Sequence, residues 1–149
     1  MAEVKPVPDG YGGVIPYLNL QRAEDAIDFY KTVFGAEEQL RQRAPDGRLL
    51  HAEVRINGAL VMISEAMRDP PQTAILTVYT RDVDALFARA VGTGAEALAE
   101  PDDMPWGDRM ARLRDPFGVT WQVVTHIEDV PREELDARMA KAFAQMSET

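Results

Sequence analysis

The chain has 149 residues, 46% of them hydrophobic and 28% charged, with a net charge of −9 and no cysteine. That suits one domain of ordinary soluble composition. The charge argues against nucleic acid as a partner, because phosphate binding draws on clustered Lys and Arg. The missing thiols exclude disulfides, thiolate nucleophiles and Cys-ligated zinc. No apolar run approaches the roughly 18 residues of a membrane span, and no signal peptide opens the chain, so a cytoplasmic location is expected.

Residues 1–13 are polar and rich in Pro and Gly, which predicts a loose arm. A strand follows over 14–20, with Pro16 near its start or on an edge. Ala23, Ala26, Ile27, Tyr30, Val33 and Phe34 then recur at helical spacing, with Gly35 as the C-cap. A less defined strand is placed near 38–42. Over 48–56, Leu50, Ala52, Val54 and Ile56 alternate with His51, Glu53 and Arg55, and Asn57-Gly58 predicts a hairpin into a return strand over 59–63. Residues 64–74 read as a Pro-containing linker. The pattern then begins again with a strand over 75–80 and a helical stripe of Val83, Leu86, Phe87, Ala90 and Val91 that ends at Gly94. Strands are expected over 109–114 and from 119, where the turn Asp115-Pro116-Phe117-Gly118 feeds Val119, Trp121 and Val123 into the core. A last helix starts near Pro131 and carries the stripe Leu135, Met139, Ala142, Phe143 and Met146.

A shift of 60 brings the halves into register, setting Ile15 on Ile75, Ala23 on Val83, Gly58 on Gly118 and Met62 on Gln122. Such a repeat implies two copies of one supersecondary unit. In each copy the helix covers one sheet face, and alternation assigns the other face. That second face collects Ile15, Tyr17 and Asn19; His51, Glu53 and Arg55; Met62 and Ser64; Ile75, Thr77 and Tyr79; and Thr120 and Gln122. Aromatic, polar and ionisable groups together suit a small-molecule pocket. The same shift puts Arg112 and Arg114 on the helix side, which a bulge or an edge position would have to explain.

The combination Tyr17-Leu18-Asn19, the helix motif of residues 26–37, His51-Ala52-Glu53, Trp106-Gly107-Asp108-Arg109 and Asp115-Pro116-Phe117-Gly118 resembles the vicinal oxygen chelate superfamily, the glyoxalase and bleomycin-resistance fold, and within it the PhnB-like branch. The resemblance spans about residues 13 to 130 and implies an α+β fold. Paired βαβββ modules, 14–64 and 75–126, form curved mixed sheets around a cavity within a domain of 14–130, and a C-terminal helix follows over 131–149. It also implies a homodimer. The superfamily's metal positions fall on Ile15, Met62, Ile75 and Gln122, a set that lacks the carboxylates and imidazoles a divalent cation wants, so neither metal nor cofactor is expected. The methyltransferase label used in that branch finds no Gly-rich nucleotide-binding turn here.

His51 and Glu53 are the candidate acid–base pair, expected about 6–7 Å apart on one strand and joined through water or substrate; the alternative is a structural pairing. Candidate ligand contacts are Tyr17, Asn19, Arg55, Met62, Thr77, Tyr79, Trp106, Arg109 and Gln122. Trp106 either stacks on a planar ligand or belongs to a structural turn around Asp108. The expected function is small-molecule binding without the metal. The alternatives are a metal-independent lyase, isomerase or transferase working through His51 and Glu53, and an interaction module using the C-terminal helix.

Overall fold

The computed structural model describes residues 4–67 and 70–147. The first three residues of the arm, linker residues 68 and 69 and the last two residues of the C-terminal segment lie outside that range. The fold is α+β: two mixed four-stranded sheets, a helix for each, and a third helix at the C-terminal end. Two compact units divide the chain, residues 1–74 with 116–118, and residues 75–115 with 119–149.

The first unit runs β1 (Tyr17–Leu20), α1 (Ala23–Phe34), β2 (Glu37–Arg43), β3 (Leu49–Ile56) and β4 (Ala59–Glu65). Its sheet order is β1-β4-β3-β2, with only the β1–β4 pair parallel. The apolar face of α1 buries Ala23, Ala26, Ile27, Tyr30 and Val33 over a sheet layer of Leu18, Leu20, Ala52, Val54 and Ile63. Phe117 of the later turn packs edge-on to Phe29 and Tyr30, with the Arg22 guanidinium 5.2 Å from its ring centre. Asn57 and Gly58 both take positive φ, 52° and 79°, so the tight hairpin between β3 and β4 forms as its sequence predicts.

The second unit repeats the plan with β5 (Ile75–Tyr79), α2 (Val83–Gly92), β6 (Glu96–Asp103), β7 (Asp108–Arg114) and β8 (Thr120–His126), in the order β5-β8-β7-β6. Val83, Leu86 and Ala90 of α2 meet a buried layer of Ala111, Leu113, Trp121 and Val123. The helix starts share one device. The Ala23 N–H donates to the Glu65 carboxylate at 2.8 Å, and the Val83 N–H donates to the Thr125 hydroxyl at 2.9 Å. Glu65 and Thr125 stand 60 apart, as do the residues they cap. The final helix, α3 (Arg132–Ser147), is tied down by Arg138, which donates to Glu128, Glu134 and the Pro105 carbonyl.

Three expectations are corrected. β1 begins at Tyr17, leaving Val14 and Ile15 ahead of it, with Pro16 contributing only its carbonyl, which accepts from the Met62 N–H. Leu50 is not on the core face: it is 48% exposed, while Leu49 is 3% exposed. Between Gln42 and Arg43 the β2–β3 register shifts, so Gln42 pairs with His51 and Arg43 with Leu49, and Leu50 is the extra residue of a bulge. Arg112 and Arg114 face away from α2, because Arg112 pairs with Gln122 while the intervening Ala111 and Leu113 are buried. The cause is the turn. Five residues separate Arg114 from its partner Thr120, whereas four separate the equivalent Arg55 and Leu60, and one extra residue turns β7 over relative to β3.

Candidate functional site

On the uncovered face of the first sheet, Tyr17 of β1, Met62 of β4 and Glu53 of β3 lie in one cross-strand row. Glu53 is 4% exposed, a carboxylate that needs hydrogen-bond donors. It has three. The Tyr11 hydroxyl and Gln39 Nε2 donate to Oε1, the latter at 3.2 Å, and His51 Nε2 lies 2.9 Å from Oε2. Burial alone would raise the pKa of Glu53, but the hydrogen bonds from Tyr11, His51 and Gln39 outweigh it and hold the group below the ordinary carboxylate value. Tyr11 moves the other way, raised chiefly by its bond to Glu53.

His51 and Glu53 therefore touch directly, where the sequence predicts a gap. Their strand positions are two apart, but both side chains lean along the strand and close the distance. Because ionised Glu53 can only accept, the imidazole carries a hydrogen on Nε2, and in its neutral form it has Nδ1 as the acceptor. The Tyr17 hydroxyl lies 3.2 Å from that nitrogen, and Tyr17 itself is 49% exposed.

Arg55 holds the edge of this network. It donates to Gln39 Oε1 at 3.0 Å and to the carbonyls of Gly58 and Gly10, so the end of the N-terminal arm is fastened to β3. Arg55 is thereby a frame for the site. Asn19 and Ser64 extend the face, the Ser64 hydroxyl donating to Asn19 Oδ1 at 3.1 Å.

The second sheet is organised around a different carboxylate. Asp108 is buried and accepts from the Tyr79 hydroxyl at 3.2 Å and Trp106 Nε1 at 2.9 Å, while its Oδ1 lies 2.8 Å from His126 Nδ1. His126 also meets Asp129 at 2.7 Å, and Asp129 first and Asp108 second raise its pKa. The Tyr79 value is raised by burial and then by the charge of Asp108. Trp106 is thus pinned within a structural turn. Arg109 is equally committed, pairing with Asp84 of α2 and with Asp103. Thr77 and Gln122 are cross-strand partners, the Thr77 hydroxyl donating to Gln122 Oε1 at 3.1 Å.

A cavity of about 230 Å³ lies beside the start of α1, and one of about 650 Å³ lies between residues 102–106 and the stripe of Met139, Ala142, Phe143 and Met146 on α3. Of the predicted ligand contacts, only Trp106 lines either cavity. Among the described residues, no helix is long and apolar enough to cross a membrane.

The family profile for the glyoxalase/bleomycin resistance protein/dioxygenase superfamily matches residues 16–123. The chain belongs to this superfamily. The uncharacterised protein Mb0911c of Mycobacterium bovis is 37% identical over 139 residues, covering 84% of this chain and 90% of that protein. Among solved structures, TioX from Micromonospora sp. ML1 aligns with a TM-score of 0.66 and 28% identity over 78% of this chain and 99% of its own. The PhnB protein of Bacillus cereus aligns with a TM-score of 0.61 and 22% identity over 76% of this chain and 99% of its own, a likeness of fold.

Of the four positions at which the superfamily resemblance sets a metal, Ile15 precedes β1 and Ile75 opens β5. Met62 stands beside Tyr17, and Gln122 has its amide oxygen engaged by Thr77. Among the described residues, no group of three or more His, Cys, Asp and Glu side chains converges to hold a metal ion. Two members of the Glu53 network, Tyr11 and Gln39, are missed by sequence reasoning. Gln39 is the extra residue where the register shifts between Glu38 and Leu40, and a bulge of that kind re-aims a side chain that strict alternation would misplace. For Tyr11 the only signal is an aromatic in an otherwise Pro- and Gly-rich arm.

Proposed function

We propose that the protein is a small-molecule-binding member of the superfamily, of its PhnB-like branch, which holds its ligand with side chains of the uncovered sheet face in place of a chelated metal. The observation that carries this reading is the state of Glu53. A buried carboxylate saturated by Tyr11, His51 and Gln39 is a fixed element of the wall, and it leaves Met62 and Tyr17, whose hydroxyl is held on His51 Nδ1, as the surface offered to a ligand. Tyr17 and Met62 supply apolar contact for a planar group. The Tyr17 hydroxyl, held on His51 Nδ1, and the Asn19–Ser64 pair supply orientation. Two aliphatic side chains, a thioether and an already engaged amide do not fit a hard or borderline divalent cation.

A thermal-shift screen tests the reading. A ligand at 100 times its dissociation constant adds about 2.7 kcal/mol of stability, and Tyr17→Ala or His51→Ala should abolish the shift. Absence of any stabiliser among aromatic, cationic and oxyanionic compounds overturns it, as does a stoichiometric divalent metal in the purified protein. One observation favours a second reading, metal-independent catalysis. The direct His51–Glu53 contact fixes the imidazole and sets its Nδ1 against the half-exposed Tyr17 hydroxyl, a Glu–His–Tyr line through which a proton could be passed to or from a ligand. A turnover left unchanged by His51→Ala would end that proposal.

A further inference from the structure

Strand β7 carries three arginines, and two have carboxylate partners. Arg109 donates to Asp84 and Asp103, and Arg114 donates to Glu96 at 3.1 Å. Arg112, half-buried on the uncovered face, has no carboxylate partner among the described residues, and its Nε is shut off from solvent with no acceptor. Burying a guanidinium donor without an acceptor is unfavourable, and native chains avoid it unless something else supplies the acceptor.

The neighbours of Arg112 do not supply one. Its cross-strand partner is Gln122, and the partner of Gln122 is Thr77. The Thr77 hydroxyl already donates to Gln122 Oε1, which leaves the two amide N–H groups of Gln122 to donate elsewhere. The row Arg112–Gln122–Thr77 is therefore rich in donors and poor in acceptors, on a chain whose net charge is −9. On either side of Thr77 along β5 stand Ile75 and Tyr79, both exposed and on the same face.

We propose that this row is the seat for the oxyanionic head of a small-molecule ligand, a carboxylate or a phosphonate. The head is held by the guanidinium of Arg112, whose enclosed Nε is uncovered as the side chain turns outward to the ligand, and by the amide of Gln122, and the ligand's apolar body lies on Ile75 and Tyr79. The inference rests on the reading above only in taking an uncovered sheet face as a ligand surface. Guanidinium and carboxylate match as planar forks, whereas a phosphonate adds charge and a third oxygen, so the two heads separate by affinity.

The experiment follows the Arg112 Nε–H resonance by NMR while the full chain is titrated with benzoate, phenylphosphonate and the neutral isostere benzamide. Saturable movement is expected with at least one anion and none with benzamide. Arg112→Gln, titrated through the backbone amide shifts of β7 and β8 because the variant lacks the Nε–H, should weaken that anion by roughly 10- to 100-fold, with partial recovery in Arg112→Lys. The backbone spectra of both variants report that the fold is kept. The proposal is overturned if neither anion moves the resonance, if benzamide binds as well as benzoate, or if Arg112→Gln retains full affinity. In each of those cases, neutral or cationic stabilisers in the thermal-shift screen would leave the small-molecule reading standing, so the two failures are distinguishable.

Discussion

Replacing Glu53 with Gln preserves shape and removes charge, and its cost can be worked from the contacts. A hydrogen bond to a charged group contributes about 1.5–3 kcal/mol and a neutral one about 0.5–1.5, so each bond that loses its charged acceptor gives up about 1 kcal/mol. The amide oxygen of Glu53→Gln can still accept from Tyr11 and Gln39, but its NH2 faces His51 Nε2, which must shed its hydrogen and take the other tautomer. The expected loss is about 2–3 kcal/mol near neutral pH, or a melting point lower by about 4–12 °C for a chain of this size. Because the folded-state value of Glu53 is depressed, its stabilisation is complete above the unfolded value near 4.5 and is lost as pH falls through the folded value. Urea denaturation read by tryptophan fluorescence should therefore show a gap between wild type and Glu53→Gln that is full at about pH 7 and closes on acidification. A gap below about 0.5 kcal/mol at neutral pH, or one indifferent to pH, would refute the role of Glu53 as the saturated anion of this face.

Other substitutions probe the remaining features. Leu49→Ala should cost about 2–4 kcal/mol and Leu50→Lys less than about 0.5, since the bulge buries only the first; equal costs would return Leu50 to the core. In Gly107→Ala the new Cβ would sit 2.2 Å from the Glu128 carbonyl oxygen at a φ of +100°, so thermal denaturation should show a loss of about 2 kcal/mol or more. Wild-type melting would contradict that crowding. His126, raised by Asp129 and Asp108, should titrate by NMR above the ordinary 6.5. Its stabilisation is full below that value and fades as pH rises through the folded one, so the melting gap to His126→Gln should be wider near pH 5.5 than near pH 9.

Much of this architecture is legible in the sequence because it depends on local period and turn chemistry. The stripe from Ala23 to Phe34 and the Asn57-Gly58 hairpin each report a choice made within about a dozen residues, and the shift of 60 repeats those local choices in the second half. What escapes is whatever depends on a single residue of slip. Alternation cannot reveal that Leu50 and Gln39 are surplus in their strands, because a bulge leaves composition unchanged. The turn after Arg114 carries one residue more than its counterpart, so a constant shift assigns Arg112 to the wrong face. The contact between His51 and Glu53 is legible as a shared face, but its 2.9 Å closure is a matter of rotamers. The Tyr11 hydroxyl reaches Glu53 from 42 residues away, beyond any window of local pattern.

The shared capping of the two helices bears on how each half assembles. Both first-turn amides are satisfied from 42 residues downstream, by Glu65 for Ala23 and by Thr125 for Val83. The first amide of each helix is thus satisfied only when the closing strand of its own half is docked, which ties a locally encoded segment to a long-range contact. Amide exchange at Ala23 and Val83 should accordingly track the opening of those closing strands, making each pair a built-in reporter of whether its half has fully closed.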